Sequence, residues 1–217
     1  MRHLCPLFPR TLKEGPLTLY KIRQSWVGVL DRLRGRLQGS LQRIGSVFSR
    51  AGVSPTAWTV FGLALALLAG ASYSLSGYRY EALGGLLILV AGFFDIVDGA
   101  VARVTGKTSK RGAFLDSTLD RVAEVALFAG ILLGGYSTPI LVLAGLSGSM
   151  LVSYTRAKGD ALGVALSGVG IGERSERLLV LAAASLLGLL WWGVILVIVI
   201  AWFTFLDRSV RAARSLS

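Results

Sequence analysis

The sequence predicts an all-α integral membrane protein, with six transmembrane helices preceded by a cytoplasmic amphipathic helix that lies in the membrane interface. Of its 217 residues, 53% are hydrophobic and 16% are charged, whereas soluble domains carry about 25% charged residues. The run from Leu178 to Leu206 has no charged side chain. An excess of 23 Lys and Arg over 12 Asp and Glu gives a net charge of +11. This composition excludes a soluble monomer. Because the basic residues flank apolar segments, it also favours an anionic membrane surface over nucleic acid as the partner.

The first 50 residues are predicted to form an amphipathic arm, distinct from a transmembrane catalytic domain at 51–217. Apolar residues recur in the arm at three- and four-residue spacing, which gives one stripe on a helix. The stripe consists of Ile22, Trp26, Val29, Leu33, Leu37, Leu41, Ile44 and Phe48. The opposite side carries Arg23, Arg32, Arg34, Arg36 and Arg43. This pattern is typical of a helix that lies on an anionic leaflet, and a coiled-coil seam is the alternative interpretation.

Six apolar spans follow the arm, each close to the roughly 20 residues that cross a hydrocarbon core. Ser54 and Pro55 are predicted to begin the first, because a serine hydroxyl caps a helix and proline suits its first position. The spans are predicted at residues 55–75, 80–103, 112–134, 138–158, 175–190 and 191–208. The last two form one continuous apolar run, which a single tilted helix would also explain. A hairpin is favoured because it places the basic residues before and after this run on the same side.

The distribution of basic residues predicts the orientation in the membrane, which we expect to be a prokaryotic cytoplasmic membrane. The expected outer turns near residues 76–79, 135–137 and 190–191 carry one basic residue, Arg79. Nearly all the others lie in the arm, in the turns at the opposite end and at the C-terminus. Because positive residues are retained on the cytoplasmic side, both termini of this multi-pass protein are expected in the cytoplasm.

Four aspartates occur where the second and third spans should cross hydrocarbon. A charged side chain in a span costs about 2.5 to 3.5 kcal/mol on insertion scales, so four of them require compensation. Asp95 and Asp98 share one helix face, and Asp116 and Asp120 share one face of the next helix. A short turn joins the two helices, which makes them antiparallel and allows the four carboxylates to converge.

Converging carboxylates without nearby His or Cys predict a site for a hard divalent cation, Mg²⁺ or Mn²⁺ rather than zinc. Four acids suit two ions, the usual arrangement for clamping a phosphoryl group during displacement. Gly99 and Ala102 lie on the same face as Asp95 and Asp98, where small residues leave room for a substrate near the backbone. Arg103 lies one turn beyond Gly99 and offers a guanidinium to a phosphate.

These residues form a spaced pattern that resembles the signature of the CDP-alcohol phosphotransferase family. In this chain the pattern is Asp95-x2-Asp98-Gly99-x2-Ala102-Arg103-x8-Gly112-x3-Asp116-x3-Asp120. The resemblance also covers the six-span plan, the amphipathic arm and the Ser-Pro entry to the first span. One departure is Pro55-Thr56, where many members have Pro-Asn. A nucleotide contact from the first span is therefore not implied.

The resemblance implies a function and a set of roles. In that family the four aspartates hold two divalent ions, and the last, here Asp120, also acts as the base on the acceptor hydroxyl. The nucleotide of a CDP-linked lipid would be bound by Asp95, Gly99, Ala102, Arg103 and Gly112, and CMP would leave. A homodimer is also implied. The lipid is left open between diacylglycerol and archaeol types, as is the choice between Mg²⁺ and Mn²⁺.

The basic residues at the end of the fourth span and the start of the fifth indicate which acceptor alcohol the enzyme uses. They resemble the branch of the family that transfers phosphatidyl or archaetidyl groups to inositol 1-phosphate. The resemblance assigns Arg156, Lys158, Arg174 and Arg177 to the acceptor phosphate. The alternative is that these four residues are ordinary basic residues retained on the cytoplasmic side. Glu124, on the third span, is expected either to tune the metal site or to form a hydrogen bond to a neighbouring helix.

Two other functions remain open at this point. An enzyme of the same family could use glycerol 3-phosphate as the acceptor. A divalent-cation transporter would use the same acids without needing Arg103 or the cations between residues 156 and 177.

Overall fold

The structure, a computed structural model, describes residues 39, 42–50, 52–106, 109–166 and 168–216. Throughout these residues the regular secondary structure is helical, which confirms the all-α class. The helices are α1 (Pro55–Tyr73), α2 (Tyr78–Val104), α3 (Lys110–Leu133), α4 (Pro139–Ala161), α5 (Arg174–Leu186) and α6 (Leu190–Leu216). Residues 42–49 are also helical.

The chain divides into two units, Met1–Arg43 and Ile44–Ser217. Most of the predicted arm, including its stripe from Ile22 to Leu37, lies outside the described residues. The predicted interfacial helix and the predicted boundary after residue 50 therefore stay predictions.

Four helices in the described part of the chain are long and apolar enough to cross a membrane. They are α1 from Thr56 onward, α2, α4 and α6. Helix α3 differs because six charged residues fall within its first fifteen positions, 110–124. Helix α5 differs because it has 13 residues, about 20 Å at 1.5 Å per residue, whereas a hydrocarbon core is about 30 Å thick. The protein is thus an integral membrane protein with four helices of spanning character.

Local sequence signals set the helix ends. The Ser54 hydroxyl accepts a hydrogen bond from the Ala57 N–H at 3.3 Å, and α1 begins at Pro55, so the predicted start is confirmed. The long apolar run is split between α5 and α6, as the hairpin prediction requires. Gly188 permits this turn because its φ of +70° lies in the left-handed region. Helix α6 continues to Leu216, beyond the predicted end at residue 208.

Close backbone contact fixes the position of α3 against α1. A side chain at Gly130 would overlap the carbonyl oxygen of Gly70, and a Cβ on Gly70 would lie 2.5 Å from the carbonyl oxygen of Ala126. Small residues allow such close crossings in membrane helices, where van der Waals packing drives association. Pairs of packed helices also include α1 with α2, α2 with α5, α4 with α6 and α5 with α6.

Polar contacts join the helices at the end where the turns 74–77, 134–138 and 187–189 lie. Glu81 is buried, and its Oε1 accepts a hydrogen bond from the Leu190 N–H at 2.9 Å. The hydroxyls of Tyr73 and Ser185 are hydrogen-bonded at 2.7 Å. The Tyr136 hydroxyl donates to the carbonyl oxygen of Gly77 at 2.9 Å. The first two bonds satisfy buried polar groups, and all three join helices or turns at this end of the protein.

An aromatic cluster lies near the opposite end. Phe48 contacts Trp58 edge-on, with ring centroids 5.4 Å apart, and also packs against Phe93 and Phe94. Trp58 stacks on Phe94 at 5.4 Å. Phe48 belongs to the stripe predicted for the arm, so the end of that stripe packs against α1 and α2. This packing supports α2 immediately before Asp95.

Candidate active site

Three aspartates meet at the end of the protein that carries the turn after α2. Asp95 and Asp98 come from α2, and Asp116 comes from α3. One carboxylate oxygen from each lies within 4.8 Å of the others. The short connection between α2 and α3 makes the helices antiparallel, so the two aspartate faces are brought together as the spacing predicted.

The donor set of this cluster fits a divalent cation. Asp98 is 7% exposed, and the Thr59 side chain is its hydrogen-bond partner. Among the described residues, Asp98 Oδ2 and Asp116 Oδ1 are buried with no hydrogen-bond partner. Buried carboxylate oxygens without partners are costly, and hard cations such as Mg²⁺ and Mn²⁺ prefer oxygen ligands. Asp95, Asp98 and Asp116 are therefore suited to hold such an ion.

Asp120 lies beside the cluster and is held by Arg174. The Nη1 atom of Arg174 is 2.8 Å from Asp120 Oδ1 and 3.4 Å from Asp95 Oδ1. Asp95, Asp98 and Asp120 also line one cavity between the helices. The four predicted aspartates therefore converge, although Asp120 is joined to the others through an arginine from α5.

A cleft lined by glycine and arginine opens on one side of the cluster; we call it the Gly99 cleft. Its walls include Thr56, Thr59, Asp98, Gly99, Ala102, Arg103, Ser109, Gly112 and Asp116. A Cβ on Gly99 would meet only the Arg103 guanidinium, at 3.8 Å, so the space above this backbone is open. The residues predicted for the nucleotide share this cleft, except Asp95.

The cap of α3 forms part of this cleft and was missed in the sequence. The Ser109 hydroxyl accepts a hydrogen bond from the Gly112 N–H at 3.0 Å. A serine just before a helical stretch is the usual signal for such a cap, so it could have been found. The bond caps the first turn of α3, which carries Gly112.

A second cleft opens on the other side of Asp116; we call it the arginine cleft. Asp116 and Asp120 line it together with five arginines, Arg121, Arg156, Arg174, Arg177 and Arg208. The opposite charges in one cleft place anion-binding groups next to the aspartate cluster. Of the four predicted acceptor residues, Arg156, Arg174 and Arg177 line this cleft. Lys158 is exposed and is not among the lining residues.

The five arginines differ in how their donors are used. Arg177 is 1% exposed; its Nη2 pairs with Glu124 Oε1 at 2.5 Å and its Nη1 donates to the Gly172 carbonyl oxygen at 2.5 Å. Arg121 Nη1 also lies 3.4 Å from Glu124 Oε2. Glu124 is thus bonded to α5, in agreement with the expectation of a bond to a neighbouring helix.

Sequence reasoning missed Arg121 and Arg208 as cleft residues. In the sequence, Arg208 is one of several basic residues that follow the last apolar run, and Arg121 follows Asp120 directly. No sequence signal separates them from ordinary basic residues, because their positions depend on how α3 and α6 pack.

Comparison with known proteins agrees with this geometry. Residues 53–207 match the CDP-alcohol phosphatidyltransferase family, so the chain belongs to that family. It is therefore a transferase of phospholipid biosynthesis, in a family that uses divalent metal ions. The resemblance read from the aspartate pattern is confirmed.

The relatives point to one branch of the family. An archaetidylinositol phosphate synthase from Pyrococcus horikoshii is 37% identical over 188 residues, covering 87% of this chain and 98% of the relative. A phosphatidylinositol phosphate synthase from Streptomyces avermitilis is 40% identical over 152 residues, covering 67% of this chain and 62% of the relative.

Solved structures of a phosphatidylinositol phosphate synthase from Mycobacterium tuberculosis share the fold. The one with CDP-DAG bound has a TM-score of 0.69 at 26% identity, covering 79% of this chain and 92% of that chain. The one in complex with manganese and citrate has a TM-score of 0.69 at 25% identity, covering 79% of this chain and 88% of that chain.

Proposed function

We propose that this enzyme transfers a phosphatidyl or archaetidyl group from a CDP-linked lipid to inositol 1-phosphate and releases CMP. The observation that carries the proposal is the arginine cleft, which opens directly onto Asp116 and Asp120. An acceptor with its own phosphate needs cations beside the reacting hydroxyl, whereas serine or free inositol does not. The names of the relatives support the same acceptor.

The two clefts support separate sites for donor and acceptor. The Gly99 cleft has an open backbone at Gly99 and a guanidinium at Arg103, which suit a diphosphate. We assign the CDP portion of the donor to Asp95, Gly99, Ala102, Arg103 and Gly112. The acceptor phosphate is assigned to the arginine cleft through Arg156, Arg174 and Arg177, with Lys158 at its exposed margin.

Asp95, Asp98, Asp116 and Asp120 are proposed to hold two divalent ions. Bound ions of this kind neutralise the diphosphate and stabilise the charge that develops during phosphoryl displacement. Asp120 is proposed also to accept the proton of the attacking inositol hydroxyl, because it borders both the aspartate cavity and the arginine cleft. The hydroxyl oxygen forms a bond to the lipid-side phosphorus, and the bond from that phosphorus to the CMP oxygen breaks.

The membrane arrangement is also a proposal. We infer six membrane-embedded helices, with α3 and α5 held among the four helices of spanning character. Both termini are placed on the cytoplasmic side of a prokaryotic membrane, with the arm on the membrane surface. The turns 74–77, 134–138 and 187–189 contain no basic residue, which supports this orientation. A homodimer is expected from family membership.

An acceptor panel tests the function. Membranes containing the protein are given CDP-diacylglycerol or CDP-archaeol with inositol 1-phosphate, glycerol 3-phosphate, serine or free inositol. We expect CMP release and a new phosphorylated lipid with inositol 1-phosphate. Faster turnover with glycerol 3-phosphate or with free inositol would overturn the assignment of the acceptor.

A further inference from the structure

The Glu173 carboxylate also lines the arginine cleft and joins several parts of it. Glu173 is the residue that precedes α5 as its N-cap. Its Oε1 accepts a hydrogen bond from the Gly168 N–H at 3.2 Å and from Arg208 Nη2 at 2.6 Å. Its Oε2 accepts one from Arg156 Nη1 at 3.2 Å. Through this side chain, the end of α4, the connecting segment before α5 and the end of α6 are tied together.

Arg208 uses its donors on protein oxygens rather than on the open cleft. It is 1% exposed. Its Nε donates to the Val169 carbonyl oxygen at 2.9 Å, and its Nη1 donates to the Val152 carbonyl oxygen at 3.1 Å. The third bond is the ion pair with Glu173. A planar guanidinium with fixed donor directions is well suited to hold three segments in one arrangement.

The connecting segment also lies directly on α6. A Cβ on Gly172 would be 2.5 Å from Thr204 Oγ1, and a Cβ on Gly170 would be 2.5 Å from Thr204 Cγ2. Gly170 has a φ of +85°, which other residues rarely adopt. Thr204 lies one turn before Arg208 on the same helix. The segment therefore has little freedom to move away from Arg208.

We propose that Arg208 and Glu173 are a positioning pair for the acceptor cleft. Arg208 holds the Glu173 carboxylate. Glu173 in turn holds Arg156 on one side and, through its capping box with Glu176, the first turn of α5 on the other. That turn carries Arg174 and Arg177. The negative charge of Glu173 also offsets the repulsion between cations gathered in one cleft. This inference rests on the proposed function for the identity of the ligand, an alcohol that carries a phosphate.

The pair acts through the arginines that it positions for the acceptor phosphate. Its removal should therefore weaken binding of the acceptor more than binding of the CDP-lipid. The variants are Arg208→Met, Arg208→Lys and Glu173→Gln. Arg211→Met is the matched control, because Arg211 is exposed on the same helix and pairs with Asp207 at 2.8 Å. Apparent KM values for inositol 1-phosphate and for the CDP-lipid are measured for each variant, together with kcat.

We expect Arg208→Met and Glu173→Gln to raise the KM for inositol 1-phosphate about tenfold or more, with the KM for CDP-lipid changed by less than about twofold. Arg208→Lys should recover part of the loss, and Arg211→Met should resemble the wild type. The double variant Arg208→Met/Glu173→Gln should be no worse than the poorer single variant, because both changes break one unit. An unchanged acceptor KM, or equal increases for both substrates, would overturn the inference.

A second measurement is needed in case the Arg208→Met protein does not fold. It also separates this inference from the proposed function. The thermal midpoint of the purified protein in detergent is followed with and without inorganic phosphate. The wild type should be stabilised by phosphate, and Glu173→Gln, which keeps the size of the side chain, should lose most of that shift. An undiminished shift in Glu173→Gln would overturn the positioning role. A wild type that prefers another acceptor would overturn the proposed function, while the phosphate measurement would still decide the role of the pair.

Discussion

Arg177 and Glu124 form a buried ion pair between α5 and α3, with Nη2 and Oε1 2.5 Å apart and both side chains 2% exposed. This pair gives Arg177 a structural role. The resemblance to the inositol-phosphate branch assigns Arg177 to the acceptor phosphate, and that role stays a prediction. The structure shows in addition that its guanidinium, together with that of Arg121, compensates the buried Glu124 carboxylate.

Removing Arg177 is therefore expected to affect stability as well as acceptor binding. Breaking a buried pair from one side typically costs about 3 to 5 kcal/mol, and we expect the lower end of that range because Arg121 Nη1 still lies 3.4 Å from Glu124 Oε2. Arg177→Met should lower the thermal midpoint in detergent, and the double variant Arg177→Met/Glu124→Leu should recover much of the loss. If the double variant is as unstable as the single one, the charge of Glu124 is not the cause.

The aspartates are expected to be individually necessary for transfer. Replacing Asp95, Asp98, Asp116 or Asp120 by Asn should abolish product formation, because each change removes a charged oxygen ligand from the proposed metal site. The variants should still insert into the membrane. Binding of Mn²⁺, measured directly on the purified protein, should weaken in parallel. Full activity in EDTA, or Asn variants with wild-type rates, would contradict a metal-dependent reaction.

Asp120 is expected to have a second effect that the other three aspartates lack. Because it borders the arginine cleft as well as the aspartate cavity, Asp120→Asn should reduce kcat by more than it weakens CDP-lipid binding. The same two quantities, kcat and CDP-lipid affinity, are measured for Asp98→Asn, because Asp98 lines the Gly99 cleft and not the arginine cleft. If Asp120→Asn lost nucleotide affinity and kcat equally, Asp120 would be a metal ligand and not also the base.

The structure separates two cations that the sequence treated alike. Arg156 lines the arginine cleft, whereas Lys158, two residues later on α4, does not. Arg156→Ala should raise the KM for inositol 1-phosphate about tenfold or more, which corresponds to at least about 1.4 kcal/mol. Lys158→Ala should have a smaller effect. The reverse order would show that the acceptor approaches from the exposed side of α4.

The contact between α1 and α3 gives a prediction about stability. Gly130→Ala should destabilise the protein because its side chain would overlap the Gly70 carbonyl oxygen, forcing the helices apart. Gly92→Ala is the control, since a Cβ there has no neighbour within 4 Å. The thermal midpoints of the two variants are measured in detergent and compared. A Gly130→Ala protein as stable as the control would mean that the helices can separate without loss.

Much of this fold could be predicted because its signals are local. The Ser54 cap, the apolar period and the spacing of Asp95, Asp98 and Asp116 each determine a helix or a face from nearby residues. The plan of six membrane helices stays a prediction, because four of the six helices are long and apolar enough to cross a membrane. Charged residues at the start of α3 and the short length of α5 distinguish these helices from the other four.

The arginine cleft was harder to predict because its residues come from four separate helices. Arg121, Arg156, Arg174 and Arg208 meet only after α3, α4, α5 and α6 have packed. The ion pairs Glu124–Arg177 and Glu173–Arg208 have the same origin, since their partners lie 53 and 35 residues apart in the chain. Such long-range pairing leaves no periodic trace in one sequence.

Asp116 is a wall shared by the Gly99 cleft and the arginine cleft. In the proposed reaction, donor and acceptor can therefore occupy the site together, with the acceptor hydroxyl facing the lipid-side phosphorus opposite its bond to CMP. In that arrangement the acceptor oxygen displaces CMP directly, and the chain needs no side chain that carries the lipid phosphate between two half-reactions. The expected kinetics are sequential, and the configuration at phosphorus is inverted once in each turnover.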